Sequence, residues 1–317
     1  MTATALPSQQ TAVRTKSNPL RVVKTLLFPV APAYLFMLIP AILLFTFFIM
    51  YPAVQGALWS FTNYVGYGSW KFIGFANYQA AFADPTIRDS YGFTLLFAVV
   101  ACVLTNAVAM TLAIALNAKI RWRPGFRTIF FIPMVLSGLV VSYIFTFILS
   151  TSVPIIAGAI HFAPLESSIL ANQHTAWLGI VFVASWVAVP GAIIIFLAGL
   201  VSIPSEVYEA ASIDGAGPWK QFQKMTFPLL FPFFIINTIL TFKAFLNVYD
   251  ICVGLTGGGP GTATTSVAMT IFNGFFNGDY AYQMANAVIF FFITLFFALF
   301  QLSVIRRRGG SLLWRLR

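Results

Sequence analysis

Apolar and polar positions along the chain fall in long blocks rather than in short alternation. Six predominantly apolar runs, at about 31–55, 91–116, 128–149, 176–200, 229–251 and 281–305, are separated by polar or charged segments. A run of about 20 such residues suffices for a helix to cross the hydrocarbon core once. Lipid offers the backbone no water to bond, so each crossing segment must close its own hydrogen bonds as a helix. The pattern predicts an all-α polytopic membrane protein with six transmembrane helices. Residues 1–28 and 309–317 read as tails around a transmembrane domain at 29–308, and 201–228 as a loop between the fourth and fifth spans.

Composition strengthens this reading. Charged residues make up 8% of the 317 and apolar residues 59%, with a mean hydropathy of +0.88, against about 25% charged in an ordinary soluble domain. Such a chain cannot cover itself with water-facing groups, so the two soluble domains that its length alone would allow are set aside. No internal repeat stands out.

The net charge of +10 raises nucleic-acid binding, and the positions of the basic residues decide against it. Arg14, Lys16, Arg21 and Lys24 precede the first run. Lys119, Arg121, Arg123 and Arg127 fill the second gap, and Lys220 and Lys224 lie in the fourth. Arg306, Arg307, Arg308, Arg315 and Arg317 follow the last run. The odd-numbered gaps hold only Lys71 and Arg88, while Lys243 falls inside a run. No basic face is interleaved with stacking aromatics. This distribution sets orientation instead, placing both termini in the cytoplasm. The basic start precedes a run long enough to span, so no cleavable signal is expected.

Candidate chemistry is sparse. Cys102 and Cys252 are too few for a disulfide framework or a zinc site. His161 and His174 share an outer loop without a close third ligand, so no metal site is expected. No nucleophile, base and orienting acid converge, and no catalytic residue is assigned. The glycine-rich stretch Gly257, Gly258, Gly259, Pro260 and Gly261 lacks a following Lys-Ser or Lys-Thr, so it is no Walker A loop. The chain therefore carries no nucleotide site of that kind, and no cofactor of its own is expected.

The fourth gap reads IPSEVYEAASIDGAGPWKQFQKMTFPLLFP. Pro204 suits the first turn of a helix, with Glu206 and Glu209 near its positive end. Ala210 and Ala211 are small and helix-forming, so a partner surface can approach closely. Gly215 and Gly217 end that helix, Pro218 starts a second, and Pro228 breaks it where the chain re-enters the bilayer. An interfacial helix without a partner is the plain alternative.

Glu209-Ala210-Ala211, then Gly215, then Pro228 resemble the EAA motif of binding-protein-dependent ABC importer permeases. Leu255-Thr256-Gly257-Gly258-Gly259-Pro260 is similar to the outer-loop pattern of maltose-type carbohydrate permeases. Met225 and Phe227 stand where that family usually has isoleucine and leucine, and both keep the apolar character. The resemblance implies the ABC importer type I permease fold in a bacterial inner membrane. It implies ATPase coupling by Glu209, Ala210, Ala211, Asp214, Gly215, Gly217 and Pro228. The implied partners are a second homologous permease subunit, a cytoplasmic ABC ATPase dimer that holds ATP and Mg, and an extracytoplasmic solute-binding protein.

For the cargo, polar residues inside spans ask for a reason, since each costs roughly 2.5 to 3.5 kcal/mol on insertion scales when charged. Lys243, Asn247 and Asp250 are spaced for one helix face, where Lys243 could contact substrate or snorkel outward toward Asp250. The resemblance places Val187, Gly191, Thr241, Phe245 and Val248 along a sugar path, and the polar Asn247 is taken with them. Phe245 could stack on a sugar's CH face or simply be one of 35 phenylalanines that pack. The set is poor in hydrogen-bond donors, which leaves a non-sugar solute open. An ion-driven secondary transporter would need mid-span carboxylates, and Asp250 alone lies near a span end.

Overall fold

The computed structural model describes residues 32–118 and 121–313, with side chains at 36–118, 121–122 and 124–303. The expected tail 1–28 lies outside the described residues. The last helix runs on to Leu313, into the segment read as the second tail, and 314–317 are outside.

In chain order the helices are α1 (Phe36–Trp59), α2 (Ala76–Ala83), α3 (Pro85–Asn117), α4 (Arg123–Phe131), α5 (Gly138–Ala159), α6 (Ala176–Val201), α7 (Ser205–Ile213), α8 (Pro218–Leu246), α9 (Asp250–Thr256), α10 (Val267–Phe276) and α11 (Tyr280–Leu313). Six of these, α1, α3, α5, α6, α8 and α11, are long and apolar enough to cross a membrane. Among the described residues the only β pairing is one bridge between Thr62 and Phe72.

The chain divides into two units, Met1–Gly56 and Ala57–Arg317. The described part of the first is helical, with Pro40 inside the helix and a π-turn at Thr46–Met50. The packing described below is that of the second.

Two expected spans are corrected. The third begins at Gly138, not near 128, because Pro133 tightens the chain into a 3-10 turn at Ile132–Val135 and Leu136–Ser137 are extended. Residues 124–135 form a separate short helix. The fifth span starts earlier and ends earlier than expected. Pro228 does not break it, and the helix ends at Leu246. Lys243, Asn247 and Asp250 therefore do not share a helix face. Asn247 folds back to donate from Nδ2 to the Lys243 carbonyl (2.9 Å), and Asp250 opens α9.

Continuity through Pro228 has a local cause. A proline ring crowds the carbonyl four residues back and offers no N–H. Ahead of Pro228 the helix widens into a π-turn at Phe222–Thr226, and the Phe227 N–H reaches the Phe222 carbonyl five residues back. The same device precedes Pro154, where the Val153 N–H bonds Ile148 O, and Pro52, where the Tyr51 N–H bonds Thr46 O.

The core is built from α3, α6 and α8, with α9 seated on α5. At Gly254 a Cβ would stand 2.5 Å from Ser142 Cβ, so only glycine permits that approach. One buried apolar cluster gathers Phe97 and Ala101 of α3, Ile180 and Val183 of α6, and Phe242 and Leu246 of α8. A second gathers Ala109 and Leu116, Ile193 and Phe196, and Leu230 from the same helices. Between them along each helix lie buried polar residues: Thr105 and Asn106, Ser185, and Asn237 and Thr241. Asn106 Nδ2 donates to Thr241 Oγ1 (3.1 Å), and Thr241 donates to the Asn237 carbonyl (2.8 Å). Thr105 Oγ1, Asn106 Oδ1, Ser185 Oγ and Asn237 Nδ2 are buried without a hydrogen-bond partner. At the opposite end from α7, Asp84 caps α3 by accepting from the Thr86 N–H (2.8 Å) and also accepts from Tyr282 Oη (2.9 Å).

Candidate functional site

The segment between α6 and α8 is held by its backbone. Pro204 stands just before α7 rather than in its first turn, and Glu206 lies in that turn near the N–H dipoles. At the other end Asp214 is the C-cap and Gly215 adopts φ 70°. The Ala216 N–H then reaches Ala211 O (2.9 Å) and the Gly215 N–H reaches Ser212 O (3.1 Å). This pair of bonds is a Schellman closure, which needs a left-handed residue where Gly215 sits. No atom lies within 4 Å of where a Cβ would stand at Gly215 or Gly217, so backbone conformation alone favours glycine at Gly215.

Side chains then lock the first turn of α8 onto α7. Gln221 Nε2 donates to Ala216 O (2.9 Å) and to Ser212 Oγ (3.2 Å). Tyr208 Oη and Thr226 Oγ1 are 3.1 Å apart. Residues Gln221, Tyr208 and Thr226 were not singled out from sequence. A polar residue nine positions beyond Ser212 carries no periodic signal when the turn between them is unknown.

What faces outward is specific. Glu209, Ala210, Asp214, Gly215 and Gly217 are exposed, and Pro228 is half-buried. Ala211 is only 1% exposed, so its small size serves packing within the chain and not the approach of a partner. Ile213 is 87% exposed, and Trp219, 68% exposed, stacks on Phe222 at 5.5 Å. An exposed tryptophan and isoleucine beside a carboxylate, on a stiff support, suit insertion into a groove of another protein.

The six residues assigned to a path do not form one surface. Thr241, Phe245 and Val248 are buried inside the chain's own core, with Phe245 edge-on to Phe97 at 5.7 Å. Val187 is half-buried against the same cluster. Gly191 is partly exposed with open space where a Cβ would stand, and Asn247 is exposed. In the glycine-rich stretch, Gly257 (φ 60°) and Gly258 (φ 90°) turn the chain after α9, and Thr256 Oγ1 meets Thr264 Oγ1 at 2.7 Å.

Residues 106–308, which contain the α7 bracket and most of the core, match the family described as binding-protein-dependent transport system inner membrane component. The chain belongs to that family. This permease is 38% identical over 274 residues to the multiple sugar-binding transport system permease protein MsmF of Streptococcus mutans, covering 86% of this chain and 94% of the relative. It is 29% identical over 272 residues to the sn-glycerol-3-phosphate transport system permease protein UgpA of Agrobacterium fabrum, covering 85% and 93%. A solved bacterial alginate ABC transporter, in complex with an alginate pentasaccharide-bound periplasmic protein, shares the fold with a TM-score of 0.75 at 20% identity. That match covers 91% of this chain and 96% of that one. The permease is thus a multi-pass membrane subunit of an ABC importer.

Proposed function

We propose that this permease carries a sugar, an oligosaccharide or a related polyol or glycoside, handed to it by an extracytoplasmic solute-binding protein. The 38% identity to a multiple sugar-binding system is the observation that carries the cargo class. A non-sugar solute is the second reading, favoured by the relative that serves sn-glycerol-3-phosphate.

In this reading a second homologous permease completes the path and a cytoplasmic ATPase dimer supplies ATP and Mg, with both termini on the ATPase side of a bacterial inner membrane. The segment 201–228 docks in the ATPase. Glu209, Ala210, Ile213 and Trp219 make the contact, while Ala211, Asp214, Gly215, Gly217 and Pro228 fix its shape. ATP-driven closure of the dimer draws the two docking loops together and opens the path outward; release resets it. Gly191, Asn247 and the accessible edge of Val187 face the path, and Thr241, Phe245 and Val248 support its wall from behind. The exposed, backbone-locked bracket of α7 supports the coupling role.

The test is Glu209→Lys in the complete transporter reconstituted in vesicles. ATP-dependent uptake and binding-protein-stimulated ATPase activity should both be lost while membrane insertion is retained. Coupled uptake at the wild-type rate would overturn the reading.

A further inference from the structure

At the end of the bundle that carries α7, a cavity of about 320 Å³ opens between α4 and the last two turns of α6, lined by Arg127, Phe131, Ile194, Leu197, Ala198 and Val201. Five of the six are apolar, and the sixth brings a guanidinium whose Nε is buried without a hydrogen-bond partner. Arg127 as a whole is half-buried, and a guanidinium is shaped to give two parallel bonds to a phosphate or carboxylate. The chain offers it no carboxylate nearby in sequence, since none occurs between Asp89 and Glu166.

The surroundings specify an acceptor that would suit this guanidinium. Arg127 closes a basic stretch that holds Lys119, Arg121 and Arg123. Trp122, 77% exposed, opens α4, and Phe126, Ile129 and Ile132 on the same segment are exposed and apolar. A short helix with a tryptophan at its start, basic residues at one end and exposed apolar side chains lies at a membrane interface. A cationic donor at the mouth of an apolar slot at that depth is complementary to one molecule type, an anionic head joined to an alkyl chain.

We infer that this cavity binds an anionic phospholipid, with its phosphate against the Arg127 guanidinium and an acyl segment along Ile194, Leu197, Ala198 and Val201. The site lies directly before the loop that leads to α7, so an occupied slot fixes the end of α6 from which that loop departs. The inference needs the membrane placement but neither the cargo nor the ATPase contact.

The test uses the intact transporter, delipidated in neutral detergent and titrated with dioleoyl phosphatidylglycerol, with dioleoyl phosphatidylcholine, or with inorganic phosphate, while the melting temperature and retained lipid are measured. Phosphatidylglycerol should raise the melting temperature saturably and be retained, and the other two should not. Arg127→Gln should weaken the apparent affinity for phosphatidylglycerol about fivefold, the effect of one basic residue at an anionic leaflet. Ala198→Phe, which fills the slot and keeps the charge, should weaken it as well and carries the test if Arg127→Gln does not fold. Equal action of both lipids, an undiminished affinity in both variants, or an equal shift from phosphate alone would overturn the inference. So would loss of a partner subunit in Arg127→Gln with lipid retention unchanged, which would make Arg127 a protein contact. Uptake is not a readout here, so failure of the transport reading is scored separately.

Discussion

The α7 bracket and the middle of α8 are joined by one continuous helix, yet they hold their shape by opposite means. In the bracket, backbone bonds around Gly215 and the reach of Gln221 set the fold, which frees Glu209, Ala210, Ile213 and Trp219 to face outward. In the middle of α8, side chains do the holding: Thr241 and Phe245 are taken up by Asn106 and Phe97 of α3. A defect in the bracket is therefore read by whatever docks there. A defect in the middle of α8 is read first by the permease's own stability, even if the symptom is lost transport.

The sharpest attack on this contrast is Phe245→Ala. Removing a buried phenylalanine should destabilise by about 3 kcal/mol, seen as a lower melting temperature of the purified protein, with uptake falling only as folded protein falls. A changed substrate preference at wild-type stability would put Phe245 on the path and break the contrast.

Next comes Gly215→Val. A β-branched residue in a left-handed conformation costs roughly 1–2 kcal/mol, here concentrated in the closure of α7. Uptake and stimulated ATPase activity should drop with little change in melting temperature, and Gly215→Asn, which tolerates that conformation, should drop less. Equal loss in both would mean that bulk at the docking face matters more than backbone shape.

Thr241→Val should be milder, at about 1 kcal/mol for loss of the interhelical contacts of its hydroxyl with Asn106 and Cys102 in a membrane bundle, measured as a small fall in melting temperature. Asp84→Asn serves as the reference outside both regions. Burial opposes ionisation of Asp84, but hydrogen bonds from Tyr282, Thr86 and Ile87 outweigh it and hold its pKa below the ordinary carboxylate value. A carboxyl lowered in this way contributes stability above the ordinary carboxylate pKa and loses it as pH falls through the lowered one. The small difference between wild type and Asp84→Asn should thus be present at neutral pH and vanish in acid.

The sequence made the spans legible because length and apolarity suffice to find a crossing helix, and the edges failed where a local device intervened. Pro228 reads as a break unless the wide turn before it is known, and Pro133 moved the third span by several residues. The bracket was readable in part, since Gly215 announces a left-handed cap. The inward face of Ala211 was not readable, because two adjacent alanines look alike until the helix has a direction. The polar layer was hidden for a different reason. Thr105, Asn106, Ser185 and Asn237 each stand in a separate apolar run, and only packing of three helices brings them to one level.

The π-turn at Phe222–Thr226 also has an angular meaning. It carries one residue more than an α-helical turn, and one residue corresponds to about 100° of rotation around the axis. Deleting a single residue there would let the helix close regularly, but it would swing Asn237, Thr241 and Phe245 by that angle away from α3. The extra residue therefore sets a phase: it fixes which side of α8 meets the core for a given bearing of the bracket, so the two cannot be turned independently.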